Sequence, residues 1–302
     1  MPAAATPLIS LLTGTRNRAV LVRAAIESAR AQDFHRHEHI VVDAMSTDDT
    51  PSVLAAYPEL QVIREPDAGF FDGLNKAVRI AQGDIIGLLN SDDLLPTGAL
   101  AAVAHAFADP QVEVVTGVCN FFLEESEGGQ RVTEHMSGRA ELELSLHNML
   151  RGNPVINARF FRRSFVEKVG AFDQSFPIAG DREWLIRAAL ARPRQVVIDT
   201  LVYRYRQHEG SLTVHATDRN VALYRAEHVT IAEQQLQRRD LTVDDRKALR
   251  TFHGRESATL ATLQLVRKDW PAAREWARRG CRVNGCWPLA FAQRLAGHTL
   301  GF

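Results

Sequence analysis

GDIIGLLNSDDLLPTGAL, residues 83–100, runs an apolar stretch straight into two adjacent carboxylates, Asp92 and Asp93. A short apolar run opened by a glycine reads as a buried strand. Two like charges at its end repel, and a core tolerates them only beside a cation, a water-filled cleft or a helix terminus. The helix terminus is disfavoured, because Thr97 is placed to be the N-cap of "GALAAVAHAFAD" and the acids lie a full turn earlier. Beyond the carboxyl end of a parallel strand is where open sheets bind ligands. The pair therefore points to a hard divalent ion, Mg²⁺ or Mn²⁺, with a solvated loop as the plainer alternative.

Outward from this stretch, short apolar runs alternate with amphipathic ones, the signature of βα units and a mostly parallel sheet. Upstream, "LISLLT", "HIVVDA" and "LQVIRE" read as strands. Between and after them, "AVLVRAAIESARAQ", "PSVLAAY" and "FDGLNKAVRIAQ" read as helices, the last closed by Gly83. Pro51 suits a first helical turn, where its missing N–H needs no partner. Downstream, "VEVVTGVCNFFL" is a fifth strand, residues 124–139 a hairpin or loop, "GDREWLIRAALARP" a helix and "RQVVIDTLVYRYRQHEGSLT" a strand with an irregular tail. Beyond residue 218 the pattern is helical only, with "RKALRTFHGRESATLATLQLVRKDW" and "PAAREWARRGCRVN" as a helical hairpin. The expected organisation is an α/β domain over 1–217 and a C-terminal helical extension over 218–302.

The 302 residues are 45% hydrophobic and 24% charged, which suits a globular enzyme. Lys plus Arg and Asp plus Glu both number 36, so no net charge draws the chain to nucleic acid. Three cysteines, Cys119, Cys281 and Cys286, are too few and scattered for a zinc site or a disulfide framework, and an odd count suits a reducing cytoplasm. No basic, apolar leader and no run of about 18 to 20 apolar residues is present, so neither a signal peptide nor a bilayer-spanning helix is expected.

Three further stretches bear on chemistry. Asp43 ends the second strand, where its carboxylate is placed for a base or ribose; Asp48 and Asp49 precede a helix and read as capping residues. "TGTRNRAV" follows the first strand but is neither G-x-G-x-x-G nor a P-loop, so a dinucleotide fold is disfavoured. Thr15, Arg16 and Arg18 there could hold a nucleotide, or form a surface turn. Asp181 lies at a helix start, where capping is the leading reading of the residues alone.

"TGTRNRAVLVRAAIESARAQDF", "EHIVVDAMSTDDT", "REPDAGFFDGLNKAVRIAQGDIIGLLNSDD" and "FFRRSFVEKVGAFDQSF", in this order, resemble glycosyltransferase family 2 with the GT-A fold, in its bacterial polysaccharide branch. The resemblance covers about residues 6–213, and 65–93 is its most specific part. It implies a GT-A type, Rossmann-like mixed sheet and a metal-dependent, inverting transfer of sugar from a nucleoside diphosphate sugar to a glycan or lipid-linked glycan acceptor.

The resemblance also implies roles. "NSDD" matches the family's D-x-D region with Asn90 in place of the first acid, which makes Asp92 the metal ligand and Asp93 its neighbour on metal or ribose. Asp43 keeps the acid of the base-binding pair, while Ala44 replaces the second. Asp67, Asp72, Asn75 and Lys76 line the donor side of the cleft. Asp181 becomes the general base, with Glu183 as fallback. His208 completes the metal site or touches the diphosphate, beside Arg204, Arg206 and Ser211. Trp184 falls within the amphipathic pattern and reads as helix packing. The implied setting is cytoplasmic, at the inner membrane face if the arginine-rich C-terminal helices meet lipid or a protein partner. Two rivals remain: a nucleotidyltransferase, which "TGTRNR" disfavours for want of a glycine-rich loop, and a binding protein on a degenerate scaffold, which Asn90 and Ala44 favour.

Overall fold

The computed structural model describes residues 7–125, 129–152, 154–208, 218–283, 285, 287, 291 and 292. Among them the chain divides into two compact units, one drawn from Met1–Asn148 and Asn153–Val214, the other from Met149–Gly152 and His215–Phe302.

The first unit begins with β1 (Ile9–Thr15), α1 (Ala19–Arg30), β2 (His37–Asp43), α2 (Thr50–Ala55), β3 (Gln61–Arg64), α3 (Phe70–Ile80), β4 (Ile85–Leu88) and α4 (Ala99–Ala106). It continues with β5 (Val114–Glu124), β6 (Gln130–Met136), α5 (Arg139–Leu142), α6 (Leu146–Arg151), a 3₁₀ turn, β7 (Arg159–Arg162), α7 (Arg163–Val169), α8 (Gly180–Leu190) and β8 (Gln195–Arg206). α6 runs across the division between the units.

The described strands form an eight-stranded sheet of order β3-β2-β1-β4-β7-β5-β6, with β8 also on β5. β3, β2, β1 and β4 are parallel, β7 runs antiparallel to both β4 and β5, and β8 is parallel to β5. The mixed, mostly parallel sheet expected from the sequence is therefore present. The order of the strands reverses beside β1, so the crevice between the C-terminal ends of β1 and β4 is the topological switch point.

Helices cover both faces. Val22 and Ile26 of α1 join Val53 and Leu54 of α2 over Val41 in one apolar cluster. Phe71, Leu74 and Ala77 are the buried apolar stripe of α3, at helical spacing. Buried alkyl and aromatic side chains of β4, β5, β7 and α4 form another cluster.

Two local expectations are corrected. The N-cap of α4 is Gly98, with φ 80° and no side-chain cap, and not Thr97. The Gln32 carboxamide does the capping from the end of α1, accepting from Leu100 N at 3.2 Å and donating to Pro96 O at 3.0 Å. Gly83 does not close α3, whose C-cap is Ala81. It admits the backbone of β1, since a Cβ there would lie 2.5 Å from Ser10 N. A strand not foreseen, β7, slots between β4 and β5, where Gly87 leaves room for the Phe160 ring.

The second unit carries α9 (Asp218–Leu236), α10 (Val243–Val266) and α11 (Trp270–Val283). A reciprocal capping box opens α10: Asp245 N donates to Thr242 Oγ1 at 3.1 Å and Thr242 N to Asp245 Oδ2 at 3.0 Å. No helix among the described residues is long and apolar enough to cross a membrane.

Candidate active site

The turn after β4 divides its two acids. Asp93 is buried, and three donors converge on it: Tyr203 Oη at 2.6 Å and Asn90 Nδ2 at 3.0 Å on Oδ2, and Arg206 N at 2.8 Å on Oδ1. Burial, and after it the Asp92 charge, push its carboxyl up to about 8 against the pull of those donors. Tyr203 Oη in turn accepts from Asn90 N at 3.1 Å and Asn157 Nδ2 at 3.0 Å, so its one proton and both lone pairs are used. Asp93 thus faces the interior and pins the turn to β8.

Asp92 faces the crevice. Its Oδ2 pairs with the Arg18 guanidinium and lies 3.1 Å from His208 Nε2, and its side chain keeps 16% exposure. Arg206 Nε holds the Asp92 carbonyl at 2.7 Å, while its Nη1 pairs with Glu124 and its guanidinium lies 5.1 Å from the Phe122 ring centroid. The Arg204 guanidinium lies 4.6 Å from the centroid of the same Phe122 ring, and its backbone bridges Leu94. Sequence positions 18, 92 and 208 are therefore brought together, whereas Arg206 is engaged in holding the turn. Ser211 lies outside the described residues.

Beneath the turn sits a buried relay absent from the sequence reading. Thr13 Oγ1 donates to Leu89 O at 2.6 Å, so His39 Nε2, 2.8 Å away, must be the donor to Thr13. Burial, with a smaller push from His37, lowers His39 to about 3, which keeps the imidazole neutral.

The ends of β1 and β2 are laced to each other. Asn17 N donates to Ser46 Oγ at 2.8 Å, Thr47 N to Asn17 Oδ1 at 2.8 Å, and Arg18 N to Thr50 Oγ1 at 3.0 Å. Asp43 is fully buried, accepting from Ser46 N at 3.0 Å and Arg64 Nε at 3.1 Å, so its carboxylate shapes this loop. Asp48 takes Ala19 N at 3.2 Å and Thr50 N at 2.9 Å, serving two helix starts; Asp49 is the α2 N-cap by backbone alone. Thr15 Oγ1 is buried without a hydrogen-bond partner among the described residues, and Arg16 is exposed.

The stretch before α3 is a network of its own. Asp67 accepts from Gly69 N at 3.1 Å. Asp72 takes Ala68 N at 3.1 Å and Gln174 Nε2 at 3.1 Å, and the Ala68 hydrogen bond leads the causes that hold its carboxyl low. Lys76 reaches Pro66 O at 2.6 Å and Glu65 at 3.0 Å. Asn75 clamps Phe172 through both backbone groups at 2.9 Å, which ties α3 to the turn before α8.

On α8 the acids again separate. Asp181 is second in the helix, whose N-cap is Ala179 without a side-chain cap, so it is not the N-cap. Its carboxylate accepts from Arg182 N at 2.6 Å, and burial raises its pKa. Glu183 is buried in a bidentate pair with Arg187, both bonds 2.7 Å, and Arg187 passes on to Ala171 O at 2.7 Å. Both Glu183 oxygens are thereby committed to the turn below α8. Trp184 is buried, as its place in the pattern predicts.

The model of glycosyl transferase family 2 matches residues 10–185, which hold β1 to β4, the Asp92 turn and the first turn of α8. The chain belongs to this glycosyltransferase family. An uncharacterized glycosyltransferase of Mycobacterium tuberculosis is 32% identical over 199 residues, 61% of this chain and 70% of its own length. Staphylococcus aureus TarS 1–349 in complex with UDP-GlcNAc superposes with TM-score 0.75 at 16% identity, over 97% of this chain and 92% of that one. Of a longer TarS chain this protein spans 43%. A mannosyltransferase of Pyrobaculum calidifontis in complex with GDP-Man and Mn²⁺ has TM-score 0.57 at 18% identity, over 97% of this chain and 88% of that one. These solved structures share the GT-A architecture of mixed sheet and flanking helices.

Among the described residues no three His, Cys, Asp or Glu side chains converge as a metal-binding set. Asp92 and His208 make a pair, one carboxylate oxygen and one imidazole nitrogen at the crevice. That donor set fits a hard divalent ion only if phosphate oxygens and water fill the other positions.

Proposed function

We propose that this glycosyltransferase moves a sugar, with inversion, from a nucleoside diphosphate sugar to a hydroxyl of a growing glycan or lipid-linked glycan. The observation that carries the reading is the meeting of Asp92 and His208 beyond β4, at the crevice where an open sheet binds its ligand. The pair would hold Mn²⁺ or Mg²⁺, and the bound ion would offset negative charge on the departing diphosphate. Asp93 supports Asp92 from inside. Arg18 is placed to exchange Asp92 for a phosphate oxygen when the donor enters, and Thr15 and Arg16 edge the same crevice.

Asp43, with Arg64 and Ser46, shapes the loop that faces the base. Asp67, Asp72, Asn75 and Lys76 hold the donor-side wall rather than reach across it. Asp181 is the base: its carboxylate takes the acceptor proton while the acceptor oxygen bonds to the anomeric carbon and the bond to the diphosphate oxygen breaks. A carboxyl raised by burial suits proton abstraction better than an ordinary one. Glu183, bound to Arg187, sets the pitch of α8 that presents Asp181. The relatives named for complexes with UDP-GlcNAc and with GDP-Man and Mn²⁺ support a nucleotide sugar and a divalent ion. Residues 1–217 are the proposed catalytic part. The helices beyond 218 are the proposed contact with the cytoplasmic membrane face or a partner.

The test is thermal stabilisation by Mn²⁺ with UDP or GDP, followed by turnover of a panel of nucleotide sugars. Asp92→Ala should lose the stabilisation, and Asp181→Asn should keep it and lose turnover. A rise that survives Asp92→Ala, or full activity in Asp181→Asn, overturns the assignment.

A further inference from the structure

Phe70 opens α3 at the edge of the crevice and keeps 42% of its surface exposed, although an isolated apolar side chain on a surface is ordinary. What sets it apart is how the ring is held. Gly69, at φ 131°, makes a bend that favours glycine, and the chain delivers Phe70 directly after it. One side of the ring lies over Gly14 near the end of β1, where a Cβ would come within 3.2 Å of it. Another meets Phe71 edge-on, with centroids 5.3 Å apart at 75°.

Phe71 is buried and continues a column of rings. It stacks on Phe172 at 5.6 Å, and Phe172 on Trp184 of α8 at 5.4 Å. Phe71 also presses on the first turn of α8, where a Cβ on Gly180 would lie 2.6 Å from its ring. Asp181 is the next residue. The exposed ring is therefore braced by a rigid aromatic column that is anchored on the helix bearing the proposed base. It stands between that helix and the C-terminal end of β1.

We infer that Phe70 is a stacking platform for a pyranose ring at the mouth of the crevice, a sugar-binding position distinct from the nucleotide contacts. The inference rests on the reading of the protein as a nucleotide-sugar-dependent glycosyltransferase. Pyranoses present an apolar face of C–H groups with hydroxyls around the rim, and an aromatic face offers them large, rigid apolar contact. Arg16, exposed and two residues after Gly14, is a polar group suited to rim hydroxyls. The ring that stacks is that of the donor or of the acceptor, and the probes below separate the two.

The experiment is saturation-transfer NMR on the full chain with Mg²⁺, a diamagnetic ion that leaves the ligand proton signals sharp. UDP and GDP are the nucleotide probes, UDP-GlcNAc and GDP-mannose the donor-sugar probes, and methyl β-D-glucopyranoside with bound nucleotide the acceptor-sugar probe. In Phe70→Ala, saturation of sugar-ring protons should fall about threefold to tenfold for the class of probe that stacks, with base protons unchanged, and Phe70→Trp should restore it. Phe70→Leu keeps apolar volume without the ring face and should behave as Phe70→Ala, which guards against loss of folding in either one. If a nucleotide binds and sugar protons are equally saturated in wild type and Phe70→Ala, the platform is overturned. Absence of sugar saturation in the wild type overturns it as well. If neither nucleotide binds at all, the functional reading itself fails, which is a separate outcome.

Discussion

Replacing His39 by Gln should remove part of the acid sensitivity of the sheet that carries the Asp92 turn. His39 is buried and neutral, lowered from 6.5 to about 3 in the folded protein. Between those values the unfolded chain binds a proton at this position and the folded chain does not, so stability contributed here is full above pH 6.5 and drains away as pH falls toward 3. At pH 5 proton uptake favours the unfolded state roughly thirtyfold, or about 2 kcal/mol at 1.4 kcal/mol per tenfold; at pH 7 the same effect is about 0.2 kcal/mol. Gln keeps an N–H donor near the position of Nε2 for Thr13 and cannot take up a proton.

Thermal melts of wild type and His39→Gln at pH 7 and pH 5 measure the difference. At about 2–4 °C per kcal/mol, the wild type should lose about 4–8 °C more than the variant between the two pH values. The variant's own packing loss lowers both of its melts and cancels in the comparison. Equal losses in the two proteins would refute the buried neutral imidazole.

Tyr203→Phe leaves Asn90 N and Asn157 Nδ2 without their shared acceptor and Asp93 with two donors. A loss of about 1–3 kcal/mol in chemical denaturation, together with weaker Mn²⁺-dependent nucleotide binding, is expected. Arg18→Gln removes the cation that competes for Asp92 Oδ2, so half-maximal activation should occur at lower Mn²⁺, while KM for the donor rises; an unchanged Mn²⁺ requirement would show that the ion pair does not compete. A general base works only when ionised, so wild-type kcat should rise with pH through a value above the ordinary carboxylate range, because burial raises Asp181, and the residual rate of Asp181→Asn should lack that limb.

The parallel half of the sheet was legible because each strand is a short apolar run with turn residues at both ends, and each helix shows its own stripe. β7 was not. Its four residues, Arg159–Arg162, carry an arginine at either end, and they become a strand only because β4 and β5 offer edges on both sides. The α4 cap failed for a related reason, since Gln32 supplies it from 68 positions away in the chain. Local propensity carries no record of such partners.

The site follows the same division. That acids gather at the ends of β2, β4 and α8 can be read from spacing, but which carboxylate faces the crevice cannot. Asp92 and Asp93 are neighbours of one type, and they differ because Tyr203, 110 residues onward, donates to one of them. Glu183 and Asp181 differ because Arg187 lies one turn beyond Glu183 and not beyond Asp181, a spacing of four that the sequence displays. The i,i+4 pair was therefore a signal available without the structure, and it separates an acid tied to a cation from the proposed base. Within such a cluster, the acid with a cation one helical turn away is the one to set aside first. The acid raised by burial, with no such cation, is the one to test for proton transfer.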